Sequence, residues 1–377
     1  MKFVHIADMH FDMPFTVLSK NGLAEERRLD QRNIFNKMIN YIKENNIEYV
    51  FIAGDLYENE YIRKSTIEYI NNCFKQIPNT KIYITPGNHD PYLVNSYYNK
   101  YEWNENVHIF TNLDIVKDEN INIYGYGFTD FYSNKIKLQE NIDESKINIL
   151  IMHADLDASK KENIDYNPIL ESELKNINFD YIALGHIHKS NFDKNRKIIY
   201  PGSMIAGGFD ELGKHGMVVG EINEKSREIF LEFVELDNKE FVEIEIDISS
   251  FVSKEELLEK INEMKIDTNK YYKIILTGRT NLQVDTLELI KSIENKHILK
   301  IKNIAAKEYD LEKISKEQSL RGIFVKELLE QIVIDTTFKM FEDKENLNLD
   351  LLLNLGEIVY KDDEDYALSP VYIIKVD

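Results

Sequence analysis

Short apolar runs recur through the first half of the chain, and five of them break off abruptly at a polar cluster. Phe3 to Ala7 runs into Asp8-Met9-His10, Tyr49 to Ala53 into Gly54-Asp55, Ile147 to Met152 into His153, and Phe179 to Leu184 into Gly185-His186-Ile187-His188. The fifth, Lys81 to Thr85, stops at Pro86-Gly87 and delivers Asn88, His89 and Asp90 in succession. Runs rich in β-branched and aromatic residues and closed by proline or glycine read as strands ending in turns. Turns at the carboxyl ends of sheet strands are where open α/β proteins place their ligands. Five such ends presenting Asp, Asn or His predict a metal site assembled from neighbouring strands.

The stretches between them carry helical spacing. Residues 25–44 place Ile34, Met38 and Ile42 on one row and Phe35 with Ile39 on the next, and 65–76 does the same with Ile67, Ile70 and Phe74. Alternating strand and helix signals define an α/β class. The stretch 92–106 has no clear period. Beyond it, Ile109-Phe110 and 121–124 read as short strands, 168–177 as a helix, and 216–222 with 229–236 as a hairpin that closes the domain. Ile198-Ile199-Tyr200 ends in Pro201-Gly202-Ser203, and 202–216 reads as a loop near the site. A second pattern follows. The strand 242–248 alternates strictly, Ser253 to Glu256 forms a capping box, and strands 271–277 and 298–304 flank a short helix at 286–292. A last helix, 320–333, carries the apolar stripe Leu320, Ile323, Phe324, Leu328 and Ile332. The predicted organisation is a domain over 1–238, a smaller α+β cap over 239–308, and a C-terminal segment over 309–377. That segment holds a helix, an acidic tail at 342–365 and a last edge strand at 370–376.

Composition narrows the function. At 377 residues and 43% hydrophobic, the chain can bury a real core. No run approaches the ~18 apolar residues of a membrane span, and the apolar start reaches Asp8 too soon for a signal peptide. Cys73 is the single cysteine, so no intrachain disulfide forms, which fits a reducing cytoplasm. No Gly-x-x-x-x-Gly-Lys-Ser/Thr loop is present, so any ATP-driven step belongs to another chain. The formal charge of -20 gives no support to nucleic-acid binding, which draws on basic surface.

The candidate chemistry lies in Asp8, His10, Asp55, Asn88, His153, His186 and His188, with His5 a further histidine on the first run. Metals that act on phosphate esters take oxygen and imidazole ligands, and a pair ~3.5 to 4 Å apart needs a shared carboxylate. The two-residue spacing of Asp8/His10 and of His186/His188 points both members one way on an extended strand end. A cysteine-free set of mixed nitrogen and oxygen donors suits Mn²⁺, Fe²⁺ or catalytic Zn²⁺.

The ordered set Asp8-x-His10, Gly54-Asp55, Gly87-Asn88-His89-Asp90, His153 and Gly185-His186-x-His188 resembles the calcineurin-like metallophosphoesterase superfamily. Flanking residues narrow the resemblance to the Mre11/SbcD group of DNA repair exonucleases: His5-Ile-Ala-Asp8, Gly54-Asp55-Leu-Tyr57, the stretch 182–189 and Tyr200-Pro-Gly-Ser203. The resemblance implies a four-layer α-β-β-α sandwich with a capping domain. It assigns Asp8, His10 and His188 to one metal, Asn88, His153 and His186 to the other, and Asp55 to both, with Mn²⁺ preferred. His89 would bind neither metal and act on the developing charge or the departing oxygen; Asp90 either orients its ring or caps the turn. It further implies DNA as substrate, a coiled-coil ATPase of the SbcC/Rad50 type as partner, and a homodimer. Arg27, Arg28, Arg32, Lys189, Lys194, Arg196 and Lys197 are the candidate phosphate contacts, and the 320–332 stripe the candidate docking face. A small-substrate phosphodiesterase or phosphatase on the same fold, and a noncatalytic scaffold for an ATPase, are the alternatives.

Overall fold

A computed structural model describes residues 1–19, 22–118, 120–138, 142–157 and 166–337, with backbone alone from 330. The acidic stretch 342–365 and the expected strand 370–376 lie outside the described residues. No helix among these is long and apolar enough to cross a membrane.

The chain opens with β1 (Lys2–Ile6), α1 (Leu23–Asn45), β2 (Tyr49–Ile52), α2 (Lys64–Phe74), β3 (Lys81–Ile84), α3 (Tyr97–Lys100) and β4 (Val107–Ile109). It continues with β5 (Asp114–Lys117), β6 (Ile121–Tyr126), β7 (Ile147–His153), α4 (Glu171–Lys175), β8 (Tyr181–Gly185), β9 (Ile198–Ile199), β10 (Gly216–Ile222) and β11 (Ile229–Glu235). Two sheets result, a six-stranded one of order β11-β10-β1-β2-β3-β4 and a five-stranded one of order β5-β6-β7-β8-β9. Strands β1 to β4 run parallel, as do β6 to β9, while β10, β11 and β5 are antiparallel to their neighbours.

Alternation within each strand builds the layers. Phe3, Phe51, Tyr83 and Val218 of one sheet meet Ile149, Ile151, Tyr181 and Ala183 of the other in a single core. The opposite residues, Val4, Ile6, Val50, Ile52, Ile82 and Ile84, pack under the predicted rows of α1 and α2. On the far side Leu150, Met152, Ile182 and Leu184 pack with Leu174 of α4. This is the expected α-β-β-α stack. Register then aligns the strand ends: Ile6 pairs with Ile52 and Ile52 with Ile84, while His153 pairs with Gly185. The polar residues that follow therefore leave from one edge of each sheet.

Two local expectations are revised. The helix predicted over 168–177 spans only Glu171–Lys175, because Ile169 donates its backbone N–H to Asp155 instead of entering a helix. The aperiodic stretch 92–106 contains one short helix, α3.

His5 belongs to the inter-sheet core and not to the strand-end set. Its ring is fully buried, with Nδ1 2.9 Å from the Tyr181 hydroxyl, and burial pushes its pKa down to about 3. The unfolded chain therefore takes up a proton near the ordinary value of about 6.5 while the native state resists until about pH 3. Stability from this group is complete above about pH 6.5 and drains away as pH falls toward 3, at up to about 1.4 kcal/mol per pH unit. Urea unfolding across that window should show a shallower acid slope for His5→Asn than for wild type; equal slopes would refute the assignment.

The chain divides into two compact units, one comprising Met1–Glu243, Lys265–Lys273 and Glu294–Lys300, the other Ile244–Met264, Ile274–Ile293 and, among the described residues, 301–337. Strands β12 (Glu240–Asp247), β13 (Lys270–Thr277) and β15 (Ile298–Asn303) form a sheet of order β12-β13-β15. A separate two-residue pair joins β14 (Arg279–Thr280) to β16 (Ala306–Lys307). In the second unit, α5 (Lys254–Asn262) is capped by the Ser253 hydroxyl accepting from the Glu256 N–H at 3.2 Å. The Glu256 carboxylate closes the box one residue early, on the Val252 N–H. Asp285 caps α6 (Thr286–Ser292), and α7 (Leu311–Ser315) precedes α8 (Leu320–Thr337).

The apolar stripe on α8 is not one surface. Phe324 packs with Ile314 and Val325, so it belongs to this unit's own core, and Leu328 is half-buried. Leu320 and Ile323 are exposed, at 70% and 58%. Ile332 falls where the backbone alone is described.

Candidate metal centre

The loops leaving β1 and β2 are zipped together. Asp8 donates its N–H to the Gly54 carbonyl at 3.1 Å, His10 to Asp55 at 2.9 Å and Phe11 to Leu56 at 3.0 Å. Gln31 of α1 grips the same turn from behind, its amide donating to the carbonyls of Met9 and His10 at 2.7 and 3.0 Å. Asp8, His10, Asp55 and His186 all have positive φ, at 50, 47, 52 and 109°. Non-glycine residues held there cost on the order of 1–3 kcal/mol each and persist only where surrounding structure fixes them. The shared direction of Asp8 and His10 thus comes from strained turns, not from the strand alternation that their spacing suggested. Gly54 has φ 90°, and a Cβ there would collide with the His153 ring; a Cβ at Gly87 would strike the Asp55 carboxylate.

These turns bring the predicted donors face to face. His10 Nε2 lies 3.0 Å from His188 Nε2, and His153 Nε2 lies 2.9 Å from Asn88 Oδ1. Asp55 Oδ2 stands between the two groups, 3.2 Å from His153 Nε2 and 3.9 Å from His10 Nε2. Asp8 sits within 4.8 Å of donor atoms of His10 and His188, and also of Asp55 and His153. Asp8 accepts the His186 N–H through both oxygens, at 3.0 and 3.2 Å. The His186 ring lies 5.1 Å from that of His153.

The outer nitrogens of His10, His188 and His153 are already engaged. His10 Nδ1 is 2.7 Å from Glu58 Oε1, His188 Nδ1 is 2.6 Å from Glu211 Oε1, and His153 Nδ1 is 2.9 Å from the Ala53 carbonyl. An Nδ1–H donating outward leaves Nε2 as a bare lone pair pointing inward. Two such lone pairs at 3.0 Å repel each other unless a positive charge lies between them. The donor set therefore fits divalent cations, and mixed imidazole, carboxylate and amide oxygen is the chemistry that first-row metals accept.

The electrostatics agree. Burial opposes ionisation of Asp55, yet His153, His10 and His89 outweigh it and hold the carboxyl well below the usual range. Burial raises Asp8, with Asp55 adding to it against the histidines. Burial likewise opposes charge on His153 and His188, but Asp55 lifts the first and Glu211 with Asp8 the second, each to about 9. A cation would take the place of those protons.

With His10 and Glu58, His89 forms a further group able to hold a metal ion, its ring edge-on to that of His10 at 4.8 Å. Its Nδ1 is 2.9 Å from Glu58 Oε2, its side chain is 46% exposed, and the Glu58 carboxylate pushes it up to about 9 despite partial burial. Glu58 thus holds His10 with one oxygen and His89 with the other. Asp90 does not touch the His89 ring. Its fully buried carboxylate accepts from the N–H groups of Gly87, Asp55 and Leu56 and from the Tyr98 hydroxyl, so it caps the turn, and the catalytic role is withdrawn.

The candidate phosphate contacts also separate. Arg27 is fully buried, bidentate on Asp237 and bonded to the Ala206 carbonyl, so it is a structural clamp and not a DNA contact. Arg196 pairs with Glu171 at 3.0 Å, and Arg28 with Glu25 at 3.3 Å. Arg32 lies over the Tyr69 ring. Lys189, Lys194 and Lys197 are exposed.

Sequence reasoning missed Glu58 and Glu211. Glu58 follows Asp55 closely on the same turn, and that proximity is the one local signal it carries; Glu211 reaches His188 only through the fold. Its other oxygen accepts from Ser203 and Gly207 at 2.8 and 2.9 Å, which fixes the carboxylate. Glu211→Ala should weaken Mn²⁺ binding by about 10- to 100-fold in a calorimetric titration. Unchanged affinity in a folded variant would show that Glu211 does not support His188.

Comparison with known proteins follows the same lines. The model of the calcineurin-like phosphoesterase family matches residues 1–190. The SbcD subunit of nuclease SbcCD from Staphylococcus epidermidis is 24% identical over 384 residues, 91% of this chain and 94% of the relative. The same-named protein of Staphylococcus saprophyticus is 26% identical over 64% of this chain and 72% of its own length. The uncharacterized metallophosphoesterase YhaO of Bacillus subtilis is 26% identical, over 57% of this chain and 56% of its own. The matched half carries all the convergent donors, and the chain belongs to the calcineurin-like phosphoesterase family.

Proposed function

We propose that this phosphoesterase is a DNA nuclease of the SbcD type that hydrolyses phosphodiester bonds with two divalent metal ions. The observation that carries the reading is the alignment with the staphylococcal SbcD nuclease over 91% of the chain, far beyond the metal-fitting motifs. Asp8, His10 and His188 would hold one ion, Asn88, His153 and His186 the other, and Asp55 both. Mn²⁺ is the proposed ion; Fe²⁺ and Zn²⁺ suit the same donors. Bound there, the ions supply Lewis acidity and an activated water nucleophile at neutral pH.

The chain's own residues do the rest. Glu58, Glu211 and the Ala53 carbonyl keep three imidazoles in the tautomer that presents Nε2 inward. His89, charged through Glu58 and open to solvent, hands a proton to the departing sugar oxygen or meets the developing charge. Lys189, Lys194 and Lys197, with Arg28 and Arg32, contact phosphates. Residues 239–308 act as a cap, and Leu320 with Ile323 offers a docking face to an SbcC-type ATPase. A homodimer working in DNA repair in the cytoplasm completes the proposal.

The charge of -20 favours a second reading, a small-substrate phosphodiesterase on the same centre. One Mn²⁺ assay panel separates them: end-labelled duplex, single-stranded circular DNA, cyclic nucleotides and a chromogenic phosphodiester. DNA cleavage that declines with added salt supports the nuclease. Turnover confined to cyclic nucleotides or monoesters replaces it with the second reading.

A further inference from the structure

A file of rings leads outward from the metal-fitting donors. The His186 ring, edge-on to His153, lies 5.1 Å from Tyr166 at an interplanar angle of 35°. Tyr166 in turn lies 6.0 Å from Tyr132 at 31°. Successive rings along the file are therefore tilted against each other by 31 to 35°. It ends in solvent, with Tyr132 63% exposed beside Phe131 at 44%.

The file is mounted on the backbone that carries His153. Asn167, fully buried at φ 50°, donates its side-chain amide to the His153 carbonyl at 3.3 Å, and its own N–H goes to the Ser133 carbonyl at 2.7 Å. Its amide oxygen accepts the Ile136 N–H at 3.2 Å. Tyr126 meets the Ser133 hydroxyl at 3.0 Å, and the Asp155 N–H goes to the Tyr166 carbonyl. The segment that presents Tyr132 is thus tied to Tyr166, and both are tied to the strand end that presents His153. Large exposed aromatic faces cost free energy in water. Rings set in a row beside a phosphate-processing centre match the platforms on which single-stranded nucleic acids stack their bases.

We propose that Tyr166 and Tyr132 form a stacking platform for the nucleobases next to the scissile phosphate of a single DNA strand. The proposal rests on the DNA reading above and adds how that strand is held. Stacking on a ring face needs no particular base, so the platform binds without sequence preference. Its contribution is made in the ground state as in the transition state, so its loss appears in KM and leaves kcat nearly unchanged.

The test uses the full chain with Mn²⁺ and two single-stranded oligonucleotides, one with normal bases and one with abasic units flanking the cleaved position. Tyr132→Ala and Tyr166→Ala are compared with Tyr132→Phe and Tyr166→Phe, which keep the ring. Each alanine variant should raise KM on the normal strand about tenfold and leave it unaltered on the abasic strand, while the phenylalanine variants match wild type. A second readout needs no turnover. A 2-aminopurine placed at the flanking position should be quenched on binding to metal-free wild type and to the phenylalanine variants, but not to the alanine variants. Wild-type cleavage of both strands with equal KM, or alanine variants that behave as wild type, would overturn the platform and leave the nuclease reading standing. A wild type that neither binds nor cleaves DNA would overturn both.

Discussion

Asp55→Ala should abolish metal loading and cut phosphodiester turnover by at least about 10³-fold. The Asp55 carboxylate stands between the His153 and His10 nitrogens, and it lies deep enough that water cannot replace its charge. Its other oxygen accepts the His89 N–H at 2.8 Å, so alanine also loosens the turn that presents Asn88 and His89. Asp55→Asn separates the two effects. The amide oxygen can still accept from His89 while the negative charge is gone. Circular dichroism should show Asp55→Asn folded, and elemental analysis should show it short of metal. An Asp55→Asn variant that binds metal as wild type does would mean that the carboxylate is structural.

His89→Ala should have the opposite signature. The ring touches Glu58 and stands edge-on to His10, and none of the convergent contacts passes through it. Removing it leaves Glu58 with His10 and leaves the donor set intact, so metal content should match wild type. Turnover should fall about 10²- to 10⁴-fold, the range for a positioned proton donor or charge stabiliser. Its alkaline behaviour should change too. The wild-type ring carries a proton at neutral pH, so activity through it is lost as pH rises and the ring deprotonates. Bound cations would draw that transition below the value set by Glu58 alone. The alkaline limb of the pH–rate profile should flatten in His89→Ala. Parallel loss of metal and activity would instead make His89 a ligand.

The fold was legible because its signals are local. Five apolar runs closed by glycine, proline or a polar cluster mark strands whatever surrounds them, and the rows of α1 follow from helical period alone. The donors were legible because each sits directly after such a run. What escaped depends on contacts distant in sequence. Arg27 reads as a surface cation on α1 until the chain returns with Asp237 to bury it. Glu211 carries no local mark; only folding brings it to His188. Asp90 follows His89 immediately, yet the tight turn sends its carboxylate back to backbone N–H groups and leaves the ring to Glu58. Positive φ at Asp8, His10 and Asp55 is likewise invisible to a reading that assumes extended strand ends. Asp and His enter that conformation more readily than most residues but do not prefer it unaided, so tertiary bonding decides it.

The central claim is that one buried carboxylate joins two sets of donors into a paired metal centre. Titration of chelator-treated protein with Mn²⁺, followed by calorimetry and checked by elemental analysis, tests it most directly. Two equivalents per chain at saturation for wild type and His89→Ala, with fewer than two for Asp55→Asn, is the expected result. Saturation of wild type at one equivalent or none would contradict the account.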